Sequence, residues 1–153
     1  MLALHFVNLF FAGILAGIEV TLHYGLRVPV EVLSEDSQLR LRRALVRRLR
    51  WFVPAFFVPS AVSAVALTVF DRMAPGASWR IAGTLAVLVW VGVRVVGTVP
   101  INSATLAWDV DAPPKNWKAL VDHAERFHIF GAWAAVMSFT CFLVAFALFV
   151  TRP

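Results

Sequence analysis

The sequence predicts an all-α protein, an integral membrane four-helix bundle with up-and-down topology forming one domain over residues 1–153. Three observations predict it. Of 153 residues 60% are hydrophobic and the mean hydropathy is +0.77, too apolar for a soluble unit of this length. The apolar residues gather in four stretches, 2–24, 51–70, 81–107 and 129–150, each near or above the ~20 residues a helix needs to cross ~30 Å of hydrocarbon. Strand-like alternation is absent, and a spanning segment in lipid must pair its own backbone groups, which leaves helices.

The first stretch has no Lys or Arg ahead of it and runs past the length of a signal-peptide core. It therefore reads as a retained helix. At ~100° per residue, Asn8, Glu19, His5 and His23 fall within about 60° of one another, so one polar stripe runs along this helix. Gly13 and Gly17 form a G-x-x-x-G on a different side, where another helix, in the same chain or in a homo-oligomer, is expected to approach closely. Eighteen residues place His5 ~27 Å from His23, and His5 reads as an interfacial residue at the far end.

After Pro29, residues 34–50 read as a short amphipathic surface helix between spans one and two. Ser34 is placed to cap it and Glu35 and Asp36 suit its N-terminal dipole. Leu39, Leu41, Ala44, Leu45, Val46 and Leu49 oppose its arginines, which points to anchoring on membrane lipid, with a docking surface as the alternative. Span two contains Pro54 and Pro59, expected to kink it and widen a cavity. Pro75-Gly76 marks a tight reversal. On span three Arg94, Thr98, Asn102 and Thr105 share a broad face, with Pro100 expected to bend it. A buried arginine requires a carboxylate or carbonyls, and Glu19 is the sole carboxylate in the first three spans, so an ion pair of Glu19 with Arg94 is one expectation. Span four opens on Asp122, Glu125 and His128, with His123 pointing elsewhere. Cys141, the single cysteine, excludes an intrachain disulfide and reads as a small packing residue.

Lys and Arg counts give the orientation. The connections after spans one and three hold Arg27, Arg40, Arg42, Arg43, Arg47, Arg48, Arg50, Lys115, Lys118 and Arg126, against Arg72, Arg80 and Arg152 at the other end, ten to three. Both termini are then external and the basic end cytoplasmic, in what we expect to be a bacterial inner membrane. Topology and anionic lipid account for the net charge of +5, and no nucleic-acid partner is expected.

The rare polar groups Glu19, His23, Asn102, Glu125 and His128 thus gather near that basic end. A charge at mid-bilayer costs roughly 2.5–3.5 kcal/mol, so such residues point to a functional site. Glu125–His128 is an E-x-x-H pair, as in metal sites of helical bundles. With Glu19 and His23 at similar depth it permits a metal held by two histidines and a carboxylate, which suits iron, copper or zinc better than magnesium or calcium. The plainer alternative makes Glu125 and Asp122 solvated residues of a first turn and His128 a hydrogen-bonded imidazole.

The run TVPINSATLAWDVDAPPKNWKALVDHAERFHIFGAW, with Pro100-Ile101-Asn102, Trp108, Pro114, Trp117 and an ERFH ending at His128, resembles the signature of a family of small four-helix membrane proteins that includes the fungal anthrone oxygenases. The AGIE run ending at Glu19 and the following Pro29 extend the similarity over most of the chain. Gly131 stands where that family often has a basic residue, and His23 lies outside the secure part of the pattern. The resemblance implies oxidation of an activated methylene in a lipophilic aromatic by O₂, with His128 as base, Asn102 donating to developing oxyanion charge, and Trp108 and Trp117, with Arg94, around the substrate. An interfacial aromatic belt is the alternative for the tryptophans. Two other classes stand beside this oxidoreductase: a haem electron-transfer bundle with His23 and His128 as axial ligands, and a non-enzymatic binding, transport or assembly subunit. Four spans without inverted halves argue against a complete secondary transporter unless the chain oligomerises.

Overall fold

The structure is a computed structural model and describes residues 1–151. Arg152, one of the three basic residues counted at the far end, lies outside them. Among the described residues, four helices are each long and apolar enough to cross a membrane: α1 (Leu2–Glu31), α2 (Glu35–Phe70), α3 (Ala77–Ala107) and α4 (Trp117–Val150). α1 packs against α2 and α4, and α3 packs against α2 and α4, closing a ring of four. One core layer joins Ala12, Ala64, Val87 and Phe142, one residue from each helix. The next joins Leu15, Ala16, Trp90 and Ala135, with Val53 and Phe57 from α2. From the first layer to the second, residue numbers rise in α1 and α3 and fall in α2 and α4.

Small side chains fill much of this interior, while Phe6, Phe10, Leu88, Phe130 and Trp133 are exposed and His5, Asn8, Glu19 and Arg80 are buried. Burial of the charged and exposure of the apolar inverts the usual distribution of a water-soluble chain. The polar stripe of α1 is the inward face, since all four of its residues are buried. His5 stands at the far end but faces inward, its Nε2 3.2 Å from Asp71 Oδ2.

Two helices change their winding. α1 contains a π-helical turn at Thr21–Gly25 and α3 another at Arg94–Thr98. The Leu26 N–H bonds to the Thr21 carbonyl at 3.1 Å and the Val99 N–H to that of Arg94. Prolines follow both, Pro29 and Pro100. A helical proline lacks the N–H and presses its ring on the carbonyl four residues back, and a widened turn is one way to accommodate it. Proline alone does not compel this, because Pro54 and Pro59 lie inside an otherwise continuous α-helix.

That continuity corrects one expectation. Residues 34–50 are not a separate surface helix, because they are the first half of α2, running unbroken into the span. With no residue to stop the helix at Arg50-Trp51, the arginine-rich part continues in line. It docks on the α3–α4 connection: Leu39 is buried with Trp108 and Trp117, Arg43 donates to the Leu106 carbonyl at 3.3 Å, and Lys118 meets Glu35 at 2.5 Å. Ser34 occupies the N-cap, but its hydroxyl bonds to Ser37 Oγ at 2.9 Å and not to backbone.

Within the chain, only one glycine of the G-x-x-x-G lies at a close helix contact. A Cβ built on Gly17 would meet nothing within 4 Å, and one on Gly13 would lie 3.1 Å from the Phe139 ring. The tight approach is between α3 and α4, where a Cβ on Gly83 would fall 2.7 Å from Phe142 and one on Gly97 only 2.0 Å from Phe127. These glycines are receptacles for phenylalanine rings.

Candidate functional site

At the arginine-rich end, α1, α3 and α4 bring their scarce polar groups together. The π-turn of α1 carries His23, and that of α3 begins at Arg94. π-turns are uncommon and recur at functional sites, because the extra residue re-aims side chains away from the regular helical face. On α4, Glu125 and His128 are three residues apart and so point one way.

Glu19, fully buried, is the ion-pair partner of Arg94, as expected for the sole carboxylate of the first three spans. Its second oxygen lies 3.1 Å from His128 Nε2, close but without an aligned hydrogen bond. The opposite ring nitrogen of His128, Nδ1, is 3.9 Å from Glu125 Oε2, and that same oxygen is 3.7 Å from His23 Nδ1. His23, Glu125 and His128 each present one ligand atom, all within 4.8 Å of one another. The two imidazoles stand 5.7 Å apart between centroids and are inclined at 65°. Arg42 holds Glu125 from the other side, Nη1 to Oε1 at 3.4 Å, and donates from Nη2 to Asn102 Oδ1 at 3.1 Å. Asn102 thus spends its oxygen on Arg42 and retains its amide N–H₂ as a donor.

A half-open cavity of about 810 Å³ adjoins this cluster. Leu41, Leu45, Val46 and Leu49 of α2 form one wall, so the apolar side of the arginine-rich segment lines a cavity. Trp90, Arg94, Asn102, Trp117, Glu125 and His128 also line it. Glu19 and His23 are absent from the lining and lie behind Glu125 and His128. Trp108 is absent too, being buried beneath Leu39. Asp122 and His123 are exposed, and His123 packs on Phe127 at 5.1 Å.

Sequence reasoning missed Arg42 and Trp90. Arg42 lies among arginines read as lipid-facing, and only the continuity of α2 brings it inward. For Trp90 the signal lies in the spacing: it sits one helical turn before Arg94, which places the guanidinium 5.5 Å from its ring.

Compared with known proteins, the chain matches no family model, no curated protein and no solved structure.

Proposed function

We propose that this chain is an integral membrane oxidoreductase of the anthrone oxygenase type, acting with O₂ on a lipophilic aromatic or quinone-like substrate in the cavity beside His128. One observation carries the reading: two imidazoles and a carboxylate converge at the edge of a mainly apolar cavity. Buried polar groups are expensive in lipid, and this convergence gives them a shared purpose that separate hydrogen bonds do not. The opposite senses of adjacent helices through the core support up-and-down topology. The ten-to-three charge bias supports external termini and a cytoplasmic site.

His23, Glu125 and His128 fit a transition metal, iron or copper, by ligand type. Bound there, it would supply one-electron chemistry toward O₂. Glu19 then stands in the outer position usual for such sites: a carboxylate at one ring nitrogen of a histidine favours the tautomer protonated there and leaves the other nitrogen free to ligate. Arg94 fixes Glu19, and Arg42 fixes Glu125. Glu125, near both rings, favours a single ion over the plane of a porphyrin. The same tautomer also serves the metal-free reading, in which His128 Nδ1 removes a proton from the activated methylene. In the net reaction the methylene carbon loses two hydrogens and gains one oxygen atom, and the second oxygen leaves as water.

Oxygen uptake by the detergent-purified chain with an anthrone tests this, with quinone measured as product. Wild type is expected to consume one O₂ per quinone, and His128→Ala to lose roughly 10²–10⁴-fold, the usual weight of a positioned proton-transfer group. Full turnover in His128→Ala would remove the reading, and elemental analysis of the same samples separates its metal and metal-free forms.

A further inference from the structure

We infer that Trp90 Nε1 and Arg94 Nε, flanking the bare backbone at Gly131, form a binding site for a neutral carbonyl or phenolic oxygen of a flat lipophilic ligand. The inference rests on the cavity described above and names the group by which its occupant is held. Trp90 and Arg94 both line the cavity, and Trp90 is only 5% exposed. Both N–H groups are buried and have no hydrogen-bond partner. A buried donor left unsatisfied costs about 1–3 kcal/mol, so two in one place are a standing demand for an acceptor.

The pair is one site because of Gly131. A Cβ built there would lie 3.8 Å from Trp90 Nε1 and 3.8 Å from Arg94 Nε. Both donors therefore stand at contact distance from one methyl-sized position, which a side chain at 131 would fill, beside the cavity that Trp90 and Arg94 line and Gly131 does not. Gly131 follows His128 by three residues, ~4.5 Å along the axis of α4. An oxygen held by these donors is anchored within one turn of the imidazole.

Charge decides the kind of oxygen. The guanidinium of Arg94 is already ion-paired with Glu19, so the site offers hydrogen bonds with little net charge. That arrangement suits a ketone, quinone or phenol oxygen, and Arg94 brings no uncompensated charge for a carboxylate or phosphate. Shape decides the rest: the Trp90 and Phe57 rings lie 4.8 Å apart at 31°, and both border the cavity. Donors directed at a carbonyl would also strengthen as negative charge develops on it when a neighbouring carbon loses a proton.

The test is equilibrium binding to the purified full-length chain of 2-methyl-1,4-naphthoquinone, its hydrocarbon counterpart 2-methylnaphthalene, and 2-naphthoate, with the infrared carbonyl band of the bound quinone. Wild type should prefer the quinone to the hydrocarbon by about tenfold or more, the weight of one or two hydrogen bonds, and shift the carbonyl band to lower frequency than in empty detergent. Trp90→Phe, which deletes the N–H and keeps the ring, should reduce that preference several-fold and move the band back. Gly131→Ala, whose methyl meets its neighbours at ordinary contact distance, should act in the same direction and serves if Trp90→Phe does not fold. Equal binding of quinone and hydrocarbon, or wild-type preference and band in both variants, overturns the site. Tighter binding of naphthoate than of quinone overturns the assignment to a neutral oxygen. Binding is read without O₂ or turnover, so a protein that shifts the band yet never oxidises an anthrone keeps this site and loses the oxidoreductase reading; turnover without a shift does the reverse.

Discussion

The two ends of the bundle both bury charge, and they do so in opposite ways. At the far end Arg80 is fully buried and donates to the Pro75 carbonyl at 2.9 Å and the Ala74 carbonyl at 3.0 Å, with further contacts to the Asp71 carbonyl and to Asp71 Oδ2 at 3.6 Å. His5 completes that cluster through Asp71, and its ring packs 4.5 Å from that of Phe149. Asn8 is similarly absorbed, donating to Ser63 Oγ at 3.1 Å and to the Ser60 carbonyl at 3.3 Å. These groups close the α2–α3 turn, where Gly76 adopts φ +84° beneath the backbone of Ala145. At the arginine-rich end the carboxylates and imidazoles instead converge beside a cavity, and Trp90 Nε1 and Arg94 Nε, on residues that line it, have no hydrogen-bond partner. Arg80 Nε and Ser60 Oγ are also unpartnered, but neither borders the cavity. Buried charge alone therefore does not distinguish the two ends; buried charge beside space for a ligand does.

Substitutions at matched positions can break this contrast. The largest effect should be functional and one-sided: His128→Ala abolishes oxygenase turnover by the 10²–10⁴-fold factor typical of proton-transfer groups, whereas His5→Ala, an equally buried imidazole, leaves turnover of the folded fraction unchanged. Comparable losses from both would erase the distinction. Next, Arg80→Met should lower stability by ~3–5 kcal/mol, since removing one partner strands Asp71 and the turn carbonyls. Thermal unfolding in detergent measures it, and an unchanged midpoint would show that the far end is not held by this network.

A smaller pair of changes separates close packing from open surface. Gly97→Ala forces a methyl into Phe127 and should cost ~1–3 kcal/mol, as overpacking does. Gly17→Ala meets nothing and should be neutral or stabilising by up to ~1 kcal/mol, from helix propensity. Loss of oligomer size in Gly17→Ala, with monomer stability intact, would place that face between copies.

The spans and their inward face were legible in the sequence because lipid leaves few choices: a long apolar run must be a helix, and its rare polar residues must face protein. The pairing of Glu19 with Arg94 followed from the same scarcity. Register was not legible beyond the π-turns. A uniform 100° per residue ignores the extra residue at Thr21–Gly25 and Arg94–Thr98, so it could not show that His23 lies behind Glu125 while Asn102 borders the cavity. Nor does composition distinguish a surface helix from the extension of a span, and that difference carries Arg42 to Glu125 and Leu41, Leu45 and Leu49 to the cavity wall. Gly83 and Gly97 gave no motif, because their partners are phenylalanine rings thirty or more residues away in α4.

The most direct test of the account is metal per protomer in detergent-purified wild type, His23→Ala, His128→Ala and His5→Ala, measured by elemental analysis after exposure to iron or copper and removal of excess. The account predicts about one equivalent in wild type and His5→Ala, and loss of that equivalent in His23→Ala and His128→Ala, since removing one of three ligands dismantles the set. Metal retained in both site variants, or a wild type that takes up none, would contradict the metal-holding form of the account and leave only the form in which His128 acts as base without metal.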